Sequence, residues 1–273
     1  MTSPEPPSEL ELAGGNMNAA VVRVGDTVRR AASPQTPTIH RLLDHVRAQG
    51  VGWVPAPHGF DHQGREVLEF IPGDVAHSSS AFLDADHVLD EVAVALREWH
   101  DATATFARGP EDVWWEDPRE PAEVVCHGDF APYNHVFRDG HLVGAIDFDV
   151  CTPAPRLWDL AYTAYRYIPL IPHVRDDVPD GDGADRTHWE SGAKLTRLER
   201  FLTAYGPVDR PGDTATARPY ASAELLAQVP ARLFALADWS VAQGSPDLHR
   251  HGAMYRAHGQ WIRDGGVLGV TDR

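Results

Sequence analysis

VVCHGDFAPYNHVFRDGHLVGAIDFD, from Val124 to Asp149, is the stretch whose reading decides the fold. An apolar run, Val124 to Cys126, opens onto His127-Gly128-Asp129, and Asn134 follows five residues after that aspartate. Two strand-like runs come next, His135 to Arg138 and His141 to Ile146. Between them stands Asp139-Gly140, a dipeptide suited to a tight hairpin. The second run delivers Asp147.

Oxygen-bearing side chains in this order suit phosphoryl transfer from a nucleotide. There the protein mainly positions the nucleophile, holds the metal and neutralises charge on the transferring group. Asp129 is placed to accept or orient the proton of an acceptor hydroxyl. Asn134 and Asp147 offer the hard oxygen ligands that Mg²⁺ prefers, with substrate phosphates completing its shell. Gly128 lets the backbone turn between them. The protein-kinase loop H-R-D-L-x-x-x-N has the same aspartate-to-asparagine offset. Here Gly128 replaces the arginine, Asp147 lies in Ile146-Asp147-Phe148-Asp149 instead of D-F-G, and no A-P-E follows, which disfavours a protein kinase. Each residue alone has a plainer reading: histidine-x-aspartate is often a structural pair or half of a metallophosphoesterase site, and aspartates at strand ends often cap turns. Asp149 stays open between a metal or substrate contact sharing a face with Asp147 and a cap on the loop at Cys151-Thr152-Pro153.

HGDFAPYN, then AIDFD, then PRLWDLAY resembles the aminoglycoside phosphotransferase family of small-molecule kinases, and the resemblance covers most of the chain. It implies a two-lobed α+β, protein-kinase-like fold with a small antiparallel-sheet N-lobe and a larger, mainly helical C-lobe. The division expected is a flexible tail over 1–12, a nucleotide-binding lobe over 13–71, and a catalytic and acceptor-binding lobe over 72–273. By the resemblance Asp129 takes the catalytic-base position, Asn134 and Asp147 the Mg²⁺ positions, and His127 and Asp159 the positions that brace the catalytic loop. Gly14-Gly15-Asn16 precedes two strands, so Gly15 and Asn16 are assigned to the nucleotide phosphates. Glu69, Phe70 and Ile71, in the hinge-like run Val67 to Gly73, are assigned to its base, in ATP or GTP. Arg29 falls where the family places a phosphate-contacting lysine, and that lysine's glutamate partner falls near His40. A histidine, neutral at pH 7 in most settings, does not orient a cation as a carboxylate does. Either a different neighbour positions the arginine or activity is lost.

The activity implied is transfer of a nucleotide's terminal phosphoryl group to a hydroxyl of a small, polyhydroxylated acceptor, an aminoglycoside-like antibiotic or a metabolite, with antibiotic resistance as a role. The rivals are a catalytically silent nucleotide-binding module and a metal-dependent phosphoesterase.

Outside this stretch, 273 residues suffice for a large domain or two packed lobes. A formal charge of −16 argues against nucleic acid as a partner and is compatible with a cationic acceptor. Acids cluster at Asp176, Asp177, Asp180, Asp182, Asp185 and Glu190. Of 24 Lys plus Arg only Lys194 is lysine, so arginine must serve where lysine usually does. No apolar run is long enough to span a bilayer and the N-terminus is acidic, so a cytoplasmic monomer or dimer is expected. Cys126 and Cys151 are expected to be reduced, packed thiols. Helical spacing predicts helices over Ile39 to Val46, Val88 to Trp99, Arg156 to Tyr167 and Leu195 to Tyr205, one starting near Pro230, and one over His251 to Arg263.

Overall fold

The computed structural model describes residues 9–12, 21–76, 80–171, 190–209 and 217–269. β-Branched residues dominate Val21–Val24 (β2) and the first half of Thr27–Arg30 (β3), which pair as a hairpin. With Leu10–Leu12 (β1), Pro57–Phe60 (β4) and Glu66–Glu69 (β5) they build an antiparallel sheet in the order β1-β2-β3-β5-β4. β1 takes residues 10–12 out of the tail expected over 1–12, whose residues 1–8 lie outside the described residues. Glu9-Leu10-Glu11-Leu12 alternates with period two, the chain pairs with β2 in register, and Arg65 clamps Glu9 at 2.7 Å. The prolines just before Glu9 obscure that alternation in the sequence.

Between β3 and β4, Thr36–Ala48 (α1) buries Ile39, Leu42, Leu43 and Val46. These side chains join one core with Val88, Leu89, Val92, Leu96 and Trp99 of Asp86–Thr103 (α2). Each fully buried leucine or valine there contributes about 1.5–3 kcal/mol. Trp99 does more than fill space, because its indole N–H donates to Val125 O at 2.8 Å and fixes α2 against the strand that leads into the catalytic stretch.

Asp74–Val75 (β6) leaves the first sheet and pairs with the hairpin of His135–Arg138 (β8) and His141–Ala145 (β9). Val124–Cys126 (β7) pairs with Thr152–Ala154 (β10), so the segment from Asp129 to Asp147 is held at its base by a two-stranded ribbon. Helices Arg156–Tyr167 (α3), Ser191–Tyr205 (α4), Ser222–Ala242 (α5) and Pro246–Arg263 (α6) complete the helical part. Pro230 lies inside α5 instead of opening it. Its ring removes one N–H from the helix, yet Leu225, Val229 and Leu233 bury a continuous stripe across it, and that packing carries the helix through. α6 likewise begins earlier than its apolar stripe, at Pro246, where a proline's missing N–H costs nothing. Among the described residues no helix is long and apolar enough to cross a membrane.

The β8–β9 turn has φ 52° at Asp139 and 79° at Gly140, the left-handed pair of a type I′ turn. An added Cβ at Gly140 would meet nothing within 4 Å, so only backbone strain opposes a side chain there. Gly140→Ala is expected to lower unfolding stability in urea by about 1–2 kcal/mol with an unchanged slope. An unchanged midpoint would show that the hairpin does not require this turn.

Candidate active site

β7 ends at Cys126 and the chain turns at Gly128, whose φ is 82°. A Cβ there would stand 2.7 Å from Val150 O, so the turn presses against the segment carrying Asp147 and Asp149 and has room only for glycine. The turn is held from below by Asp159 in α3. One of its oxygens accepts the His127 N–H at 2.7 Å and His100 Nε2 at 3.2 Å, and the other accepts the Gly128 N–H at 3.0 Å. Burial pushes the Asp159 carboxyl up, but these donors outweigh it and leave it below its usual range. Burial holds His100 on the neutral side. Its Nδ1 accepts from the Tyr205 hydroxyl at 2.7 Å, which makes Nε2 the donor to Asp159.

His127 is fully buried, and its two nitrogens tie together the two halves of the site. Nδ1 accepts the Asp129 N–H at 3.3 Å, so Nε2 carries the proton and donates to Ile146 O at 3.2 Å. A neutral imidazole thereby spaces the Asp129 loop from the end of β9, one residue before Asp147. Phe130 and Phe148 wall the ring at centroid distances of 5.4 and 4.7 Å.

Asp129 receives the Tyr133 hydroxyl on Oδ1 at 2.5 Å and Asn134 Nδ2 on Oδ2 at 2.9 Å. Burial pushes its carboxyl up, opposed by Tyr133 and by the nearby Arg166 charge. Since the Asn134 amide nitrogen is taken by Asp129, its oxygen is the end left for a cation. Asp147 has φ 64°, an uncommon conformation for a residue other than glycine, and its side chain meets a cation from the five-stranded sheet.

The cation that meets Asp147 is Arg30, not Arg29. Arg30 Nη1 donates to Asp147 at 2.9 Å, Nη2 to Asp149 at 2.5 Å and Nε to Glu66 at 2.5 Å. Arg29, next along β3, points to the other face, donating to Thr27 Oγ1 and lying 3.8 Å from Asp61. Successive strand residues face opposite ways, so a one-residue offset in alignment exchanges the buried side chain for the outer one. Glu66, opposite Arg30 in the β3–β5 register, is the neighbour that positions it. Burial pushes the Glu66 carboxyl up, but His40 and Arg30 together leave it lowered and therefore ionised. His40 Nε2 lies 3.0 Å from the other Glu66 oxygen, so the histidine at the expected glutamate position acts on the arginine through a strand carboxylate.

Three carboxylates around one guanidinium leave this corner two negative charges in excess. Asp149 shows the effect: burial first, then the neighbouring Asp147 and Glu66, push its carboxyl up to about 6 in spite of Arg30. That excess, with the oxygen of Asn134 and the carboxylate of Asp147, fits a hard divalent cation bound through few protein ligands.

Glu69 and Phe70 donate their amides to Ala56 O and Asp26 O, both at 2.8 Å, and the Arg23 guanidinium covers the Phe70 ring at 3.8 Å. Ile71 follows directly. Gly15 and Asn16 lie outside the described residues, as do Asp176, Asp177, Asp180, Asp182 and Asp185 of the acid-rich loop. Cys126 and Cys151 are buried free thiols, and Trp114 and Trp115 pack on Phe106 and Trp239.

Residues 9–123 and 107–195 match the family model described as the Phosphotransferase enzyme family. The trifolitoxin immunity protein of Rhizobium leguminosarum bv. trifolii is 35% identical over 164 residues, 58% of this chain; the chain thus spans only 61% of that relative's length. A choline kinase from Cryptosporidium parvum Iowa II superposes with a TM-score of 0.62 at 12% identity, covering 97% of this chain and 92% of that one. The GDP complex of aminoglycoside 2'-phosphotransferase-IIIa gives a TM-score of 0.59 at 12% identity over 95% and 94%. At such identities these structures speak for the fold, a small antiparallel sheet joined to a helical part as in those kinases. With the family model covering more than half of its length, the chain belongs to the phosphotransferase enzyme family.

Proposed function

We propose that the protein transfers the terminal phosphoryl group of ATP or GTP to a hydroxyl of a small molecule in a Mg²⁺-dependent reaction. What supports this reading is that Asn134 donates to Asp129, that Ile146, the neighbour of Asp147, donates to Asn134 O at 2.8 Å, and that Arg30 pairs with Asp147. The acceptor oxygen attacks the γ-phosphorus, the bond to the bridging oxygen breaks, nucleoside diphosphate leaves, and the hydroxyl proton passes to Asp129. Asn134 and Asp147 are the residues that would hold Mg²⁺. When bound, it neutralises charge on the phosphate oxygens. Arg30 faces the phosphates on the opposite side. The base is assigned to the backbone of Glu69, Phe70 and Ile71, with the Ile71 amide as donor because the other two donate within the protein.

A silent nucleotide-binding module loses its main support, since Arg30 and Glu66 restore the cation that a histidine at position 40 had put in question. A metal-dependent phosphoesterase needs histidine ligands, and both His127 nitrogens are committed. Among the described residues no three-ligand group of His, Cys, Asp and Glu includes Asp129 or Asp147. The acceptor we infer is hydroxylated and antibiotic-like, or a metabolite. The immunity role in the name of the Rhizobium relative and the charge of −16, which favours a cationic acceptor, support this.

Asp129→Ala is expected to reduce turnover by about 10²–10⁴-fold while leaving Mg²⁺-nucleotide binding near wild type. Asp147→Ala should instead weaken that binding. Calorimetric titration of both variants decides, and equal losses of affinity would sink the division of roles.

Arg30→Ala is expected to lower turnover at least tenfold, at about 2–4 kcal/mol for a lost charge-stabilising group, and Arg30→Lys to recover part. Arg29→Ala should stay near wild type. Circular dichroism controls for the buried Glu66 left unpaired; a loss in Arg29→Ala equal to that in Arg30→Ala would overturn the choice of arginine.

Asp129 must be ionised to take a proton, and its carboxyl is raised by burial. The acid limb of kcat/KM is therefore expected above the ordinary aspartate value of about 3.9. Tyr133→Phe removes a donor that favours the ionised form and should move the limb to higher pH. A limb that stays put or falls in that variant contradicts Asp129 as the titrating base.

A further inference from the structure

At the far end of the β8–β9 hairpin from the proposed site, three metal-binding side chains converge. His87 and Glu91 stand one turn apart on α2 and share a face, and His141 opens β9 just after the Asp139-Gly140 turn. His141 Nδ1 lies 2.6 Å from Glu91 Oε1, while Glu91 Oε2 accepts the Leu142 N–H at 2.9 Å. His87 Nε2 is 3.2 Å from Gly140 O, and the two imidazoles are 4.9 Å apart between centroids. One ligand atom from each of the three residues lies within 4.8 Å of the others.

We propose that His87, Glu91 and His141 form a Zn²⁺ site that staples the hairpin to α2. Two imidazoles and one carboxylate are a donor set of the Zn²⁺ type, with the fourth position open to water, and imidazoles discriminate against Mg²⁺ and Ca²⁺. Tetrahedral ligation at about 2.0–2.2 Å needs donor atoms roughly 3.4 Å apart. The exposed histidine side chains can close that gap by rotation about a carboxylate already fixed by the Leu142 amide. The hairpin begins directly after Asn134 and ends two residues before Asp147, and the other end of α2 supplies His100 to Asp159. A cation at its tip ties together the two elements that hold both ends of the proposed active site. The site does not depend on the proposed activity, because its readout is metal binding.

The test is calorimetry of Zn²⁺ into tag-free, chelator-free protein with excess Mg²⁺ present to occupy oxygen sites. One Zn²⁺ per chain at micromolar affinity is expected. His87→Ala and His141→Ala should each weaken binding at least tenfold, and His249→Ala, on α6, should not. Both His87 and His141 are exposed, so the variants are expected to fold, which circular dichroism checks. Zn²⁺ should raise Tm and slow amide exchange across residues 135–145 in the wild type only. No saturable binding up to millimolar Zn²⁺, or unchanged affinity in both variants, overturns the proposal.

Discussion

Asp159 is a buried carboxylate on which the placement of the turn leading to Asp129 depends. It sits under a backbone turn whose two amides, at His127 and Gly128, have no strand partner of their own, and it accepts both. An unpaired amide at that depth would cost about 1–3 kcal/mol, and an unpaired carboxylate more. Each side therefore needs the other. His100 shares the same oxygen from α2, so a single charge joins α2, α3 and the catalytic loop. His127 passes the constraint on: its ring spaces the Asp129 amide from the Ile146 carbonyl. The spacing of the Asp129 loop from the end of β9, one residue before Asp147, is thus held by one imidazole whose tautomer its two partners select, and not by a bound cation.

Much of this was legible in the sequence because it is local. The Asp139-Gly140 turn, the strands on either side of it and the period of α2 and α3 follow from neighbouring residues, and their boundaries in the structure lie within a few residues of those expected. The bracing by Asp159 was legible only through the resemblance, since nothing in Trp158-Asp159-Leu160 by itself demands three donors. Arg30 was missed for a physical reason. Arg29 and Arg30 are the same residue type on opposite faces of one strand, and which face is buried depends on the register with β5, a long-range fact. Glu66 was missed with it, because a glutamate opening an apolar strand reads as an exposed end until the arginine opposite is known.

The relocation of that carboxylate explains how a chain with lysine at a single position can keep an oriented cation on β3. A lysine presents one point charge, and one glutamate reaching down from a helix suffices to aim it. A guanidinium is a planar fork whose nitrogens look in different directions, and aiming it requires partners around its edge. Arg30 has them: Glu66 on Nε, Asp147 on Nη1 and Asp149 on Nη2. With the orienting carboxylate moved into β5, the position on α1 needs only to hold Glu66, and His40 does so at 3.0 Å. The histidine that looked like a lesion in the sequence is the second half of an exchange whose first half is the arginine. The same fork reaches from the five-stranded sheet to the segment after β9, so this cation links the two parts of the protein. Since its three carboxylates outnumber it, the corner gains when further positive charge arrives, and the Mg²⁺ of the proposed metal-nucleotide complex would supply that charge where the nucleotide, itself an anion, would not.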